Sequence, residues 1–192
     1  MNLTENKDYL HYEPLTKEGI LHGFFNSEFH WNKENNQTRS EDLKKRFGFN
    51  KILSVKQAHT VNILDLSKKD FSLNLDGNFD AIIAPRVINT KPNCGIFIKT
   101  ADCAPIILIG KQKLALIHAG WQGLAEGIIN KCAQLIESPE IALIGPCAGD
   151  CCYEVQEDVL KKLDNLAHIQ IRDNKNYLSI MGTAENILCS IY

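Results

Sequence analysis

"TADCAPIILIGKQKLALIHAGWQGL", residues 100–124, carries a thiol before one apolar run and an imidazole at the end of another. The runs are PIILI (105–109) and LALIH (114–118), joined by GKQK. Each is short and bounded by turn residues, so each reads as a strand, and strands this close in sequence form a hairpin. A two-residue turn at Gly110-Lys111 pairs 109 with 112 and sets Cys103 directly opposite His118; Gly first suits a type II′ turn. A four-residue loop over 110–113 shifts the register by two and makes Cys103 and His118 diagonal neighbours. In both registers they share a face, because residues two apart along a strand do. Beyond His118 the period changes. Leu124, Ile128, Ile129, Cys132, Leu135 and Ile136 recur at helical spacing, so the pattern predicts an amphipathic helix over 123–137.

Further strands are expected upstream at KILSVKQ (51–57), FDAIIAP (79–85) and CGIFIKT (94–100). Downstream, EIALIG (140–145) reads as a strand, PCAGDCC as a loop and YEVQEDVLKKL (153–163) as a helix. YLSI (177–180) is expected to be a short strand and TAENILCSI (183–191) a helix. The first fifty residues are polar and uneven. HGFF (22–25) ends an early strand, 26–40 reads as a loop, and Ser40 is expected to cap a helix over EDLKKRFG that Gly48 ends. The fold class is α/β or α+β with a mixed sheet, in one domain over residues 1–192.

The 192 residues suit one domain that buries roughly 70% of its unfolded surface. With a net charge of −2 and no basic stretch, neither a nucleic acid nor an anionic membrane is an expected partner. The N-terminal MNLTENKDYLHYEPL lacks the apolar core of a signal peptide, and no apolar run is long enough to span a bilayer, so a cytoplasmic location is expected. Seven cysteines, an odd count without a secretion signal, argue against a disulfide framework; most are expected to be reduced and buried.

A cysteine and a histidine among apolar residues are ordinarily packing residues. Three features weigh against that here. Gly120 and Gly123 flank Trp121 at the entry to the helix, where free amides can hold an anion. Asp102 precedes Cys103, where a core strand rarely places a carboxylate. His59 sits at the end of another strand, in a loop position of the kind that carries function.

QAHT, TADCAP, HAGWQG and IGPCAGDCCYEV occur in this order and resemble the motifs of the YfiH-like family, also called laccase-domain or polyphenol-oxidase proteins. The resemblance covers roughly residues 50–160. It implies a sandwich with a mixed sheet flanked by helices. It implies zinc-dependent purine nucleoside phosphorolysis, on adenosine, inosine and methylthioadenosine, with adenosine deamination. It implies His59, Cys103 and His118 as metal ligands, and a nucleoside and phosphate as partners. The chain departs from the family pattern at Gln122, where Arg is usual, in FFNSEFHWN (24–32) and at the ending CSIY. The first departure removes a fixed cation that elsewhere suits phosphate.

Three protein ligands leave one zinc position open, which is the catalytic pattern. Asp102 is a candidate to orient His118 or act as general base. Gln122, Gly120, Gly123 and Glu154 are substrate-binding candidates, with the amides of 145–149 as further anion holders. His22 is expected to be a scaffold residue, and Cys147 and Cys151 small loop thiols. The rival chemistry is a metal-free cysteine hydrolase or amidase with Cys103 as nucleophile and His118 as base, acting for example in peptidoglycan precursor editing. A copper polyphenol oxidase ranks last, because six histidines are too few for a blue-copper and a trinuclear centre together.

Overall fold

The computed structural model describes residues 3–26, 36–68, 77–86 and 93–191. The chain forms two compact units, Met1–Ile52 with Asn89–Gly95, and Leu53–Ile88 with Ile96–Tyr192.

In the first unit, β1 (Thr4–Asn6), β2 (Tyr9–His11) and β3 (Phe24–Phe25) form an antiparallel sheet in that order. α1 (Glu13–Lys17) follows β2, and α2 (Asn36–Phe47) follows the sheet in sequence. α2 begins four residues before Ser40, so that serine lies inside the helix rather than at its cap. Gly48 ends it in the left-handed region (φ +71°), the conformation glycine adopts without penalty. Arg46 grips Asp8 with two hydrogen bonds of 2.6 and 2.8 Å. His22 serves the scaffold as expected: the Tyr12 amide donates to Nε2 (2.9 Å), and Nδ1 faces the Ile20 carbonyl (2.8 Å). The predicted loop over 26–40 falls largely on 27–35, outside the described residues.

The remaining strands are β4 (Lys51–Ser54), β5 (Ile63–Asp65), β6 (Ala81–Pro85), β7 (Cys94–Phe97), β8 (Ala104–Gly110), β9 (Lys113–Ala119), β10 (Pro139–Ile144), β11 (Glu154–Val155), β12 (Ile169–Arg172) and β13 (Lys175–Leu178). The helices are α3 (Trp121–Ala125), α4 (Ile128–Ile136), α5 (Glu157–Leu163) and α6 (Ile180–Cys189). The central sheet runs β10-β8-β9-β6-β5, antiparallel except for the parallel β5–β6 pair, so it is mixed as expected. β11, β13 and β12 make a second, antiparallel sheet, and β4 pairs with β7.

Alternation along the strands makes two faces. Ala81 and Ile83, Ala104, Ile106 and Leu108, and Ala115, Ile117 and Ala119 share one buried cluster with α4 and α6, through Ile128, Ile129, Cys132, Ala184 and Ile187. The other face carries Pro105, Ile107, Leu116 and His118. Ile109 pairs with Leu114, which is the second of the two hairpin registers.

Two helices stand where one was expected over 123–137. Gly127 takes a left-handed conformation (φ +79°) between α3 and α4, and its amide closes on the Leu124 carbonyl (3.1 Å). The expected helix over 153–163 opens as β11 and becomes helical only from Glu157. The expected strand over 177–180 stops at Leu178. Ser179 then caps α6 by accepting from the Gly182 amide at 3.0 Å, so the helix starts before 183.

Candidate metal centre

His118 lies near the end of β9, opposite Pro105. Continuing that register sets Cys103, one residue before β8, opposite Gly120. Cys103 and His118 are therefore diagonal neighbours on the face opposite the one that packs against α4 and α6. His59 comes from the turn between β4 and β5, with a left-handed backbone (φ +58°) that a non-glycine residue holds only when its surroundings fix it. The ligand atoms of His59, Cys103 and His118 all lie within 4.8 Å of one another. The two imidazoles stand 4.9 Å apart, centroid to centroid, at 65°.

What fixes the His59 turn is Asp80, a fully buried carboxylate just before β6. Its Oδ1 accepts from the amides of Ala58 (3.2 Å) and His59 (3.0 Å). Its Oδ2 accepts from the Thr60 amide (2.7 Å) and hydroxyl (2.8 Å). His118 Nδ1 donates to Oδ1 at 2.8 Å, while the His118 amide donates to the Asp80 carbonyl at 2.7 Å. One carboxylate thus sets the backbone of one candidate ligand and the ring of another. With Nδ1–H bound to Asp80, His118 is left with Nε2 as its free lone pair. This is the carboxylate–histidine support typical of metal-ligating imidazoles. The donor set suits a divalent metal of the zinc class: two imidazoles and a thiolate, converging from three segments, with one ring already held from behind.

The charges are arranged to match. Burial pushes Asp80 up, but the hydrogen bonds from His118, Thr60 and Ala58 outweigh it and hold the carboxyl below its ordinary value. Burial lowers His118 further than Asp80 raises it, which favours the neutral, ligating imidazole. Burial, then the carboxylates of Asp102 and Asp80, push the Cys103 thiol up. Without a cation beside it, Cys103 is a protonated thiol; a bound metal ion supplies the missing positive charge.

Gly120 makes the site possible by lacking a side chain. A Cβ there would stand 2.9 Å from Cys103 Sγ and 3.1 Å from His59 Cδ2. Gly123 packs close to Ile128 and the Thr60 carbonyl, at 3.4 and 3.6 Å from an ideal Cβ. Gln122 is exposed on α3. Asp102 is exposed beside Cys103, and the residue that orients His118 is Asp80 in its place. Glu154 is exposed and accepts from Lys175 at 2.9 Å. Among the expected anion-holding amides, Gly145 donates to the Pro105 carbonyl and Ala148 to the Asp102 carbonyl, both at 2.8 Å. Those two amides are engaged within the fold. Cys147 is pushed up to about 11, mainly by burial, with Cys103 adding to the shift. Tyr153, which sequence reasoning passed over, is raised by burial and by the charges of Cys103 and Asp102.

The sequence profile of a family described as multi-copper polyphenol oxidoreductase laccase matches residues 22–190. A purine nucleoside phosphorylase of Aquifex aeolicus is 42% identical over 120 residues, covering 60% of this chain and 54% of its own. An adenosine deaminase, RL5, from an unknown prokaryotic organism is 28% identical over 131 residues, covering 64% and 50%. The chain spans about half the length of these relatives. In fold it is similar to the crystal structure of the hypothetical protein YfiH of Bacillus licheniformis. The TM-score is 0.75 at 17% identity, over 98% of this chain and 84% of that one.

Proposed function

The chain belongs to the family described as multi-copper polyphenol oxidoreductase laccase, and from that membership we propose a zinc-dependent purine nucleoside phosphorylase that also deaminates adenosine. The observation that carries this reading is the convergence of His59, Cys103 and His118 in front of a buried Asp80. The names of the relatives supply the substrate class: a purine nucleoside and phosphate, with adenosine, inosine and methylthioadenosine as the nucleosides to try.

His59, Cys103 and His118 would hold the metal, and Asp80 keeps His118 and the His59 turn in position. A zinc ion held by these residues would supply a Lewis acid to the substrate. In phosphorolysis a phosphate oxygen bonds to ribose C1′ while the C1′–N9 bond breaks, and the electron pair leaves with the purine. Asp102, exposed beside Cys103, is the group proposed to move the proton. Gln122 and Gly123, in α3, and Gly120, which precedes it, are the proposed neighbours of the substrate's polar end.

The test is purine release from adenosine and inosine, with and without phosphate, before and after metal stripping. We expect about one zinc per chain, and phosphate-dependent release that is lost on stripping and restored by zinc. His59→Ala, Cys103→Ala and His118→Ala should each lower metal content strongly. Copper in place of zinc would change the metal but keep the ligand set. Full occupancy in Cys103→Ala would refute that set.

One further feature favours a second reading, the cysteine hydrolase. Asp80, His118 and Cys103 lie in the order acid, imidazole, thiol, as in nucleophilic cysteine enzymes. The raised thiol and lowered imidazole oppose it, because an activated nucleophile needs the reverse shifts. Alkylation separates the two. The metal reading expects Cys103 to be protected from labelling in loaded protein and labelled faster, though still as an ordinary half-buried thiol, after chelation.

A further inference from the structure

The turn after Gly149 carries two adjacent exposed thiols, Cys151 and Cys152, whose sulfurs stand 3.2 Å apart. The turn is braced. The Gly149 carbonyl accepts from the amides of Cys152 (3.3 Å) and Tyr153 (3.1 Å). Arg172 Nη2 donates to the carbonyls of Asp150 (2.7 Å) and Cys151 (2.9 Å), and its guanidinium stacks 4.0 Å from the Tyr177 ring centroid. The expectation that Cys147 and Cys151 are small buried loop thiols is corrected for Cys151, which is exposed, as is Cys152.

A direct disulfide is a poor fit here. Neighbouring Cα atoms lie about 3.8 Å apart across a trans peptide. Disulfides ordinarily need at least about 4.4 Å. A single bridging atom fits better. Two bonds of about 2.3 Å spanning 3.2 Å meet at about 88°. A tetrahedral metal needs about 109° and thus sulfurs about 3.8 Å apart. The spacing suits a pyramidal, three-coordinate centre instead.

We propose that Cys151 and Cys152 form a second ligand site, separate from His59, Cys103 and His118, that chelates a trivalent arsenical through both sulfurs. With an arsenoso compound the step balances without any redox partner. Two As–S bonds form and the bonds from arsenic to oxygen break. The two thiol protons leave with that oxygen as one water, and arsenic stays trivalent. The hydrogen bond from Cys151 pushes Cys152 up, so Cys152 enters as the thiol that the step requires.

The test uses the full, metal-loaded chain and phenylarsine oxide, read by intact mass and peptide mapping. One phenylarsenic group per chain is expected on the peptide holding Cys151 and Cys152. It should survive excess 2-mercaptoethanol and be released by 2,3-dimercaptopropanol. Cys151→Ser and Cys152→Ser should each weaken apparent affinity by about 100-fold or more, because a tethered second contact becomes a single one. Mapping of the adduct to Cys103 or Cys147 would overturn the proposal. So would retention undiminished in either serine variant, or release by the monothiol. The mapping on unmodified protein needs no variant, so the result does not hinge on how a serine change folds.

Discussion

Asp80→Asn keeps the size of the side chain and removes its charge. The amide has one acceptor oxygen for a site that uses two, and its NH2 group faces donors. His118 Nδ1 and part of the 58–60 turn then lose their partner. Loss of such support typically weakens metal binding about 10–100-fold. The expected outcome is that loss, measured by chelator competition on folded protein, with near-wild-type affinity restored by the carboxylate alone. Undiminished affinity would show that Asp80 serves only the backbone. The hairpin pattern put Cys103 and His118 on one face, while His59 joined them as a candidate ligand only through the resemblance of QAHT, TADCAP and HAGWQG to family motifs; the structure brings the three together. Asp80 was not legible in the sequence. Its partners lie 20, 21, 22 and 38 residues away. An aspartate before an apolar strand reads as a turn residue. The signal was present in FDAIIAP: antiparallel pairing of that strand with LALIH places Asp80 opposite His118. Asp102, the nearer carboxylate, attracted the role because proximity in sequence is easier to see than pairing in space.

Among the elements, the hairpin pattern left two registers open because both keep every side chain on its own face. Gly110 had suggested the turn. In the structure it belongs to β8, and Lys111 and Gln112 make the turn. The glycine is needed for close approach: a Cβ would meet the carbonyls of Ile136, Glu137 and Ser138 at 3.1, 3.2 and 3.3 Å. The break at Gly127 was hidden for a related reason. Apolar residues continue in helical phase across it, and side-chain periodicity does not register a backbone turn. The start of α6 was misread because Ser179 lay inside a presumed strand. Ser179→Ala should cost about 1 kcal/mol. In a chain of this size that lowers Tm by about 2–4 °C. Calorimetry would check it, and an unchanged Tm would mean the cap adds nothing to the helix.

For the molecule as a whole, the mixed sheet was readable and the first unit was not. That unit has short strands and polar segments, and it is tied by contacts such as Asp8–Arg46 that join residues 38 apart. The hydrogen bond from Arg46 holds Asp8 below its ordinary value. Stability from such a depressed carboxylate is present above its unfolded pKa and is lost as pH falls through the folded one. Asp8→Asn should therefore lower Tm at pH 7, and the gap should close below about pH 4. A gap persisting at pH 2.5 would assign the loss to packing.

Asp80 also bears on how the chain reaches one structure. A sheet of alternating aliphatic residues can slide by two positions and return each side chain to its face, so greasy contacts discriminate weakly among near-copies. In β6–β9 such a slide brings Asp80 opposite Leu116 or Gly120. A buried carboxylate is then left without its imidazole, a loss on the order of 3–5 kcal/mol. The native pairing is thereby set apart in energy from its closest competitors. The Asp80–His118 pair is a device for selecting the correct sheet as well as a support for the candidate metal site, and a misaligned sheet does not assemble that site.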